Sequence, residues 1–203
     1  MASLKFKMKS SELQTRREFS AGGVVFKRSN IKHQTSNILW LIGKHSGYHK
    51  WVLPKGLVEK GEHGWETALR EVEEEMGVKA KLISERPIHR VAYVYWADFK
   101  QMKSLKLKVK NEIPNYKQSD EVTSRRRVAR YQEDGGGKTR VFKVVSFYLM
   151  EYGSGDPDKH DWEMEEAEWL PYDEAVERLA FEGEREALMK ANDRIIKWLM
   201  ANG

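Results

Sequence analysis

The chain has 203 residues, of which 40% are apolar and 11% aromatic, enough to build one packed domain with room for an insertion. A net charge of +5 favours anionic partners such as nucleotides, nucleic acid or polyphosphates, and the 33% of charged residues are mixed in sign, which argues against global disorder. There is no cysteine, so disulfides, thiolate catalysis and cysteine-based zinc sites are excluded.

Met1 to Ser10 alternates lysines with single apolar residues and has no apolar h-region, and no run reaches membrane-spanning length; the expectation is a cytoplasmic protein without membrane contact. Ser20 to Lys27 and Asn37 to Gly43 are short apolar runs bounded by polar residues and predict two buried strands, with Arg28 to Ser36 as their connection. Trp51 to Leu53 is a brief apolar stretch stopped by Pro54, and a Gly-rich, charged loop is expected from Lys55 to Gly64. Trp65 to Met76 has helical period: Trp65, Ala68, Leu69, Val72 and Met76 share one arc, and Gly77 stands where a helix stops. Strand pattern returns within Lys81 to Phe99, notably Val91 to Trp96, then in Arg140 to Tyr152 and briefly in Glu168 to Leu170 before Pro171. Helical pattern closes the chain in Tyr172 to Leu179 and Glu184 to Met200, the latter with Ala187, Leu188, Ala191, Ile195, Trp198 and Leu199 on one face.

Between these elements, from about residue 100 to 138, the chain is polar, basic and ends in three glycines. Lys103 to Arg130 holds nine Lys or Arg against three acids, a surplus of six that accounts for the whole excess charge. It reads as an insertion between two strands whose Arg125, Arg126 and Arg127 could meet RNA or a long anionic substrate. Residues 1–16 read as an N-terminal extension, and 17–203 as a single α/β domain with helices able to cover both faces of a sheet.

The most informative stretch is Gly56 to Val78, GLVEKGEHGWETALREVEEEMGV. At about 100° per residue, Glu74 and Glu75 fall about −60° and +40° from Glu71, so three carboxylates cluster opposite the apolar arc. A merely structural helix gains nothing from this. Glu71 and Glu75 are like charges at i,i+4, unfavourable by about 0.2–0.5 kcal/mol, and Glu74 and Glu75 oppose the dipole of the last turn. Carboxylates on a rigid element suit hard divalent cations: Mg2+, with Mn2+ as an alternative, takes oxygen ligands and bridges to substrate phosphates.

The same 23 residues resemble the signature of the Nudix hydrolase family, here Gly56, Glu62, Arg70, Glu71, Val72, Glu74, Glu75, Gly77 and Val78, with no fixed position departing. The resemblance implies an α/β/α sandwich with a mixed β-sheet, and hydrolysis of a nucleoside diphosphate linked to another moiety by attack of water at phosphorus. It implies that Glu71, Glu74, Glu75 and the Gly56 carbonyl hold metal, and that Arg70, together with Glu62, orients the carboxylates. Trp51 to Glu62 resembles the diadenosine polyphosphate hydrolases, and related branches acting on RNA 5′ ends, which makes Lys55 a candidate phosphate contact. His160 to Leu170 resembles the family's late acidic loop, and Glu163 is the expected further metal ligand or general base, in competition with Glu165, Glu166 and Glu168.

Tyr93 and Tyr95, alternate residues of one strand, are candidates to stack on a purine, with Tyr48 and Trp96 behind them; Lys44 is a candidate phosphate contact, whereas His45, His49 and His89 are expected to bind nothing. The leading expectation is Mg2+-dependent cleavage of a dinucleoside polyphosphate. RNA 5′-pyrophosphate removal or hydrolysis of oxidised nucleoside triphosphates is the alternative, and a non-catalytic nucleotide- or RNA-binding module is the reading from another class. Oligomeric state has no sequence signal.

Overall fold

A computed structural model describes residues 15–29, 38–97 and 139–202. The expected basic insertion, most of the N-terminal extension and the 30–37 connection lie outside the described residues. In chain order the elements are β1 (Arg16–Arg28), β2 (Ile38–His45), β3 (Lys50–Val52), β4 (Lys55–Leu57), α1 (Gly64–Met76), β5 (Val78–Leu82), β6 (His89–Ala97), β7 (Thr139–Gly155), a 3-10 turn (Pro157–Lys159), β8 (Met164–Pro171), α2 (Tyr172–Arg178) and α3 (Glu182–Asn202).

Eight strands form one mixed sheet in the order β3-β2-β1-β7-β5, with β4 on β1, β6 on β7 and β8 on β2. Only β1 and β7 run parallel, from Arg16 beside Val141 to Phe26 beside Glu151; the other pairs are antiparallel. β1 is buried on both faces because two cores use its alternate residues. Val24 and Phe26 pack with Trp40, Phe147, Leu149 and the α3 residues Ala187, Leu188, Ala191 and Ile195. Ala21 and Val25 point the other way, to Leu41, Met150 and the α1 residues Ala68, Val72 and Met76. The result is the expected α/β/α sandwich with a mixed sheet.

α1 follows its predicted bounds closely. Val72 and Met76 are fully buried, each side chain contributing roughly 1.5–3 kcal/mol by leaving water. Gly77 closes the helix at φ 64°, a left-handed conformation in which its N–H reaches the Glu73 carbonyl. The helix is pressed against β1 at Gly23, where a Cβ would lie 2.4 Å from Val72 Cγ2.

One expectation changes. The segment after Pro54 is not loop throughout: Lys55–Leu57 pairs antiparallel with Ser20–Gly22, an arrangement carried by backbone groups rather than by apolar side chains. Within the acidic stripe of α1, Glu71 and Glu75 are 9% and 6% exposed, covered by the β3–β4 segment, while the Glu74 side chain is exposed.

Candidate active site

The site lies where α1 meets β4. Arg70 is its organising cation. Its Nε and Nη2 donate to Glu62 Oε1 and Oε2 at 3.0 and 3.2 Å, and its Nη1 donates to Glu71 Oε1 at 2.7 Å and Glu74 Oε2 at 2.9 Å. Nη2 also reaches the Leu57 carbonyl at 3.3 Å, which ties the helix to the end of β4. Glu62 accepts further bonds from Thr67 Oγ1 and the Glu59 N–H, so both its oxygens are used. The Arg70 bonds, then the Thr67 hydroxyl, hold its carboxyl down at about 2. Glu62 is therefore saturated, an orienting group rather than a ligand.

Glu71, Glu74 and Glu75 differ from it. Each has one anchored oxygen: Glu71 Oε1 and Glu74 Oε2 by Arg70, and Glu75 Oε2 by the Lys55 N–H at 2.9 Å. The second oxygen of each accepts no hydrogen bond among the described residues. Burial pushes the Glu71 carboxyl up and that of Glu75 up to about 8, against the opposing pull of Arg70 and Lys55 respectively. Glu163, in the turn before β8, is half-buried, and burial with the nearby Asp161 and Glu74 charges raises it too. Its backbone is pinned on both sides, by its N–H to Asp161 Oδ1 at 2.8 Å and its carbonyl to the Ser46 N–H at 2.8 Å. Gly56 packs directly under Glu71: a Cβ there would stand 2.0 Å from Oε1.

As the side chains stand, no group of three or more His, Asp and Glu among the described residues is drawn together at metal-holding geometry. The donor set nonetheless fits a hard divalent cation, because it consists of carboxylate oxygens, three of them open, and the burial of Glu71 and Glu75 is not fully offset by Arg70 and Lys55.

The remaining expected contacts are placed as follows. The Lys55 ammonium is 2.9 Å from Glu184 Oε1 and 3.3 Å from the Leu53 carbonyl, so it is already engaged. Lys44 pairs with Glu165 and Glu166 at 3.2 and 3.0 Å, with His49 on the other side of Glu165. These ties engage Glu165 and Glu166, Arg178 engages Glu168 at 2.9 Å, and Glu163 is the acid of that loop whose carboxyl feels the Glu74 charge. Burial, then the Lys55 charge, lowers His45 to about 4; its Nδ1 accepts from the Gly47 N–H, and its ring stacks on Tyr48 at 4.0 Å. His89 bonds Glu186 and Lys190, away from the acids.

Tyr93 and Tyr95 do share one face of β6, their rings 6.1 Å apart. Tyr95 donates to Glu18 Oε2 at 2.7 Å, while burial raises Tyr93 to about 12. Between them the sheet carries a residue that the sequence reading missed. Lys143 of β7 stands opposite both Glu18 of β1 and Tyr93 of β6. Burial and the Lys55 charge push its ammonium's pKa down, with Glu18, Glu71 and Glu75 opposing, and it forms no hydrogen bond or ion pair among the described residues. The buried Ser20 hydroxyl, two residues from Glu18 on the same face of β1, also lacks a partner. Position 143 alternates with the buried Val141, Val145 and Phe147, so a charge in that row was a readable signal.

This geometry agrees with what the chain is similar to. A Mycobacterium tuberculosis protein named mutator protein MutT4 is 28% identical over 96% of this chain. Mouse bis(5′-nucleosyl)-tetraphosphatase (asymmetrical) is 42% identical over 32% of it. The chain spans 62% and 46% of the lengths of those two relatives. Among solved structures, a Caenorhabditis elegans Ap4A hydrolase binary complex superposes with a TM-score of 0.50 at 17% identity, over 89% of this chain and 98% of its own. A MutT/Nudix family protein from Listeria innocua gives the same score at 18% identity, over 93% and 100%; at such identities the likeness is one of fold. The NUDIX domain profile matches residues 19–122, which begin in β1 and include the whole arginine-organised carboxylate cluster, and by that match the chain belongs to the Nudix family.

Proposed function

We propose that the protein is a hydrolase that uses Mg2+, with Mn2+ as a substitute, to cleave a phosphoanhydride bond of a dinucleoside polyphosphate such as diadenosine tetraphosphate. The observation that carries this reading is the set of three helix carboxylates, each anchored through one oxygen and open at the other. Glu71, Glu74 and Glu75 would hold the metal, with the Gly56 carbonyl beside them. When bound, the metal supplies charge neutralisation on the phosphate chain and activation of water.

The chain's own residues divide the remaining work. Arg70 and Glu62 hold the carboxylates in register before substrate arrives, so that little reorganisation is needed. Glu163, on a turn pinned at its backbone and with its carboxyl raised by burial, would take a proton from the attacking water. Lys143 offers the phosphate chain a half-buried ammonium without a hydrogen-bonded partner among the described residues, and Tyr93 beside it offers a ring face to a base. Resemblance to the mouse tetraphosphatase across a third of the chain supports the choice of a dinucleoside polyphosphate.

RNA bearing a 5′ polyphosphate is the second reading, favoured by the surplus of six positive charges between Lys103 and Arg130. The two separate in one experiment. Diadenosine tetraphosphate, 5′-triphosphorylated RNA, oxidised nucleoside triphosphates and ADP-ribose are each incubated with Mg2+. The proposal expects the highest kcat/KM on the dinucleotide, and a preference for RNA would replace it. RNA retention without turnover of any of the four would favour a pure binding module.

A further inference from the structure

We propose that Glu184 is a positioning residue: it holds the Lys55 ammonium away from the α1 carboxylates and so keeps them open to a divalent cation. The inference rests on the metal reading above.

Lys55 sits at the hinge of the site. Its N–H anchors Glu75, and the residue after it is Gly56. Its side chain leaves β4 closely alongside Gly22, where an added Cβ would lie 2.8 Å from Lys55 Cβ. The ammonium lies within the fields of two carboxylates. The structure selects Glu184, at 2.9 Å, while Glu75 is the other carboxylate whose field acts on it.

Glu184 is itself held. It is 4% exposed, its second oxygen accepts the Leu53 N–H at 2.9 Å, and the segment leading into α3 is tied to β3 by the Ala180 N–H on the Trp51 carbonyl at 3.0 Å. A buried ion pair is poor stabilisation in itself, because desolvation offsets the attraction. Its consequence here is geometric. With Glu184 neutral, the buried ammonium must find another anion, and Glu75 is the one at hand; the lysine would then compete with metal for the cluster.

The test measures Mn2+ binding by electron paramagnetic resonance of the free ion, on the full chain and without substrate. Glu184→Gln keeps an acceptor for the Leu53 N–H but loses the charge; it should weaken Mn2+ binding by about tenfold or more, the scale of changes behind first ligands. Lys55→Met/Glu184→Gln removes both charges, so it folds without an unpaired buried ion, and its dissociation constant should return to within about threefold of wild type. Wild-type affinity in the single variant, or a double variant as weak as the single, overturns the role of Glu184. No Mn2+ binding by the wild type overturns the metal reading of the whole site, a separate outcome from failure of the variants.

Discussion

Gly56→Ala is the sharpest perturbation the structure offers. The added Cβ would stand 2.0, 2.1 and 2.3 Å from Glu71 Oε1, Cδ and Oε2. Carbon and oxygen in contact need about 3 Å or more, so the Glu71 carboxylate must retreat by about 1 Å and give up its bond to Arg70. A displacement of that size in a positioned group costs about 100-fold in rate, or about 2.7 kcal/mol at 1.36 kcal/mol per factor of ten. Backbone strain is not part of this cost, because Gly56 is not among the glycines with positive φ. Gly61→Ala is the matched control: Gly61 has φ 96° but no atom within 4 Å of its added Cβ, so it should lose about 1 kcal/mol of stability with turnover intact. Steady-state kinetics with Mg2+ and diadenosine tetraphosphate, together with melting curves, read both. Equal turnover in Gly56→Ala and wild type would show that the Glu71 carboxylate does not need the space that Gly56 leaves.

Other outcomes follow from the same geometry. Glu74→Gln should abolish turnover while leaving the melting temperature within about 2 °C of wild type, since its side chain is 55% exposed and its loss opens no cavity; activity assays and circular dichroism check it. Lys143→Met should raise KM for the dinucleotide about tenfold by removing an ammonium that has no structural partner, with stability unchanged or improved. Glu75 has a folded pKa of about 8 against an ordinary 4.5, so in metal-free protein its contribution favours the fold below 4.5 and is lost as pH rises towards 8. Melting in EDTA should therefore fall more steeply between pH 5 and 8 in wild type than in Glu75→Gln, and added Mg2+ should reverse the wild-type loss; parallel curves for the two proteins would contradict the assignment.

The sequence carried the frame of this molecule further than the details of its site. The 3.6-residue period of Trp65–Met76 with Gly77 behind it marked α1 nearly to the residue, because helix and stop are both local. β4 was missed because Lys-Gly-Leu has no apolar alternation; its pairing with Ser20–Gly22 is made by backbone groups that composition does not encode. Spacing placed Glu71, Glu74 and Glu75 on one stripe, but not the burial of two of them, which depends on the distant β3–β4 segment folding over the helix. Lys44 and Lys55 were legible as candidate phosphate contacts, but the carboxylate partner that tertiary structure gives each of them was not. Glu184, 129 positions after Lys55, reads in sequence only as a favourable acid in a helix's first turn, and nothing local announces its partner.

An arginine-anchored set of helix carboxylates that gathers divalent cations against a chain of phosphates should reveal itself in product release from diadenosine tetraphosphate by the purified full chain, measured with and without Mg2+ beside Glu74→Gln. Turnover should depend on the metal and disappear in the variant. Release of no product from this or any other pyrophosphate-containing nucleotide under Mg2+ or Mn2+ would contradict this, as would turnover in Glu74→Gln equal to that of wild type.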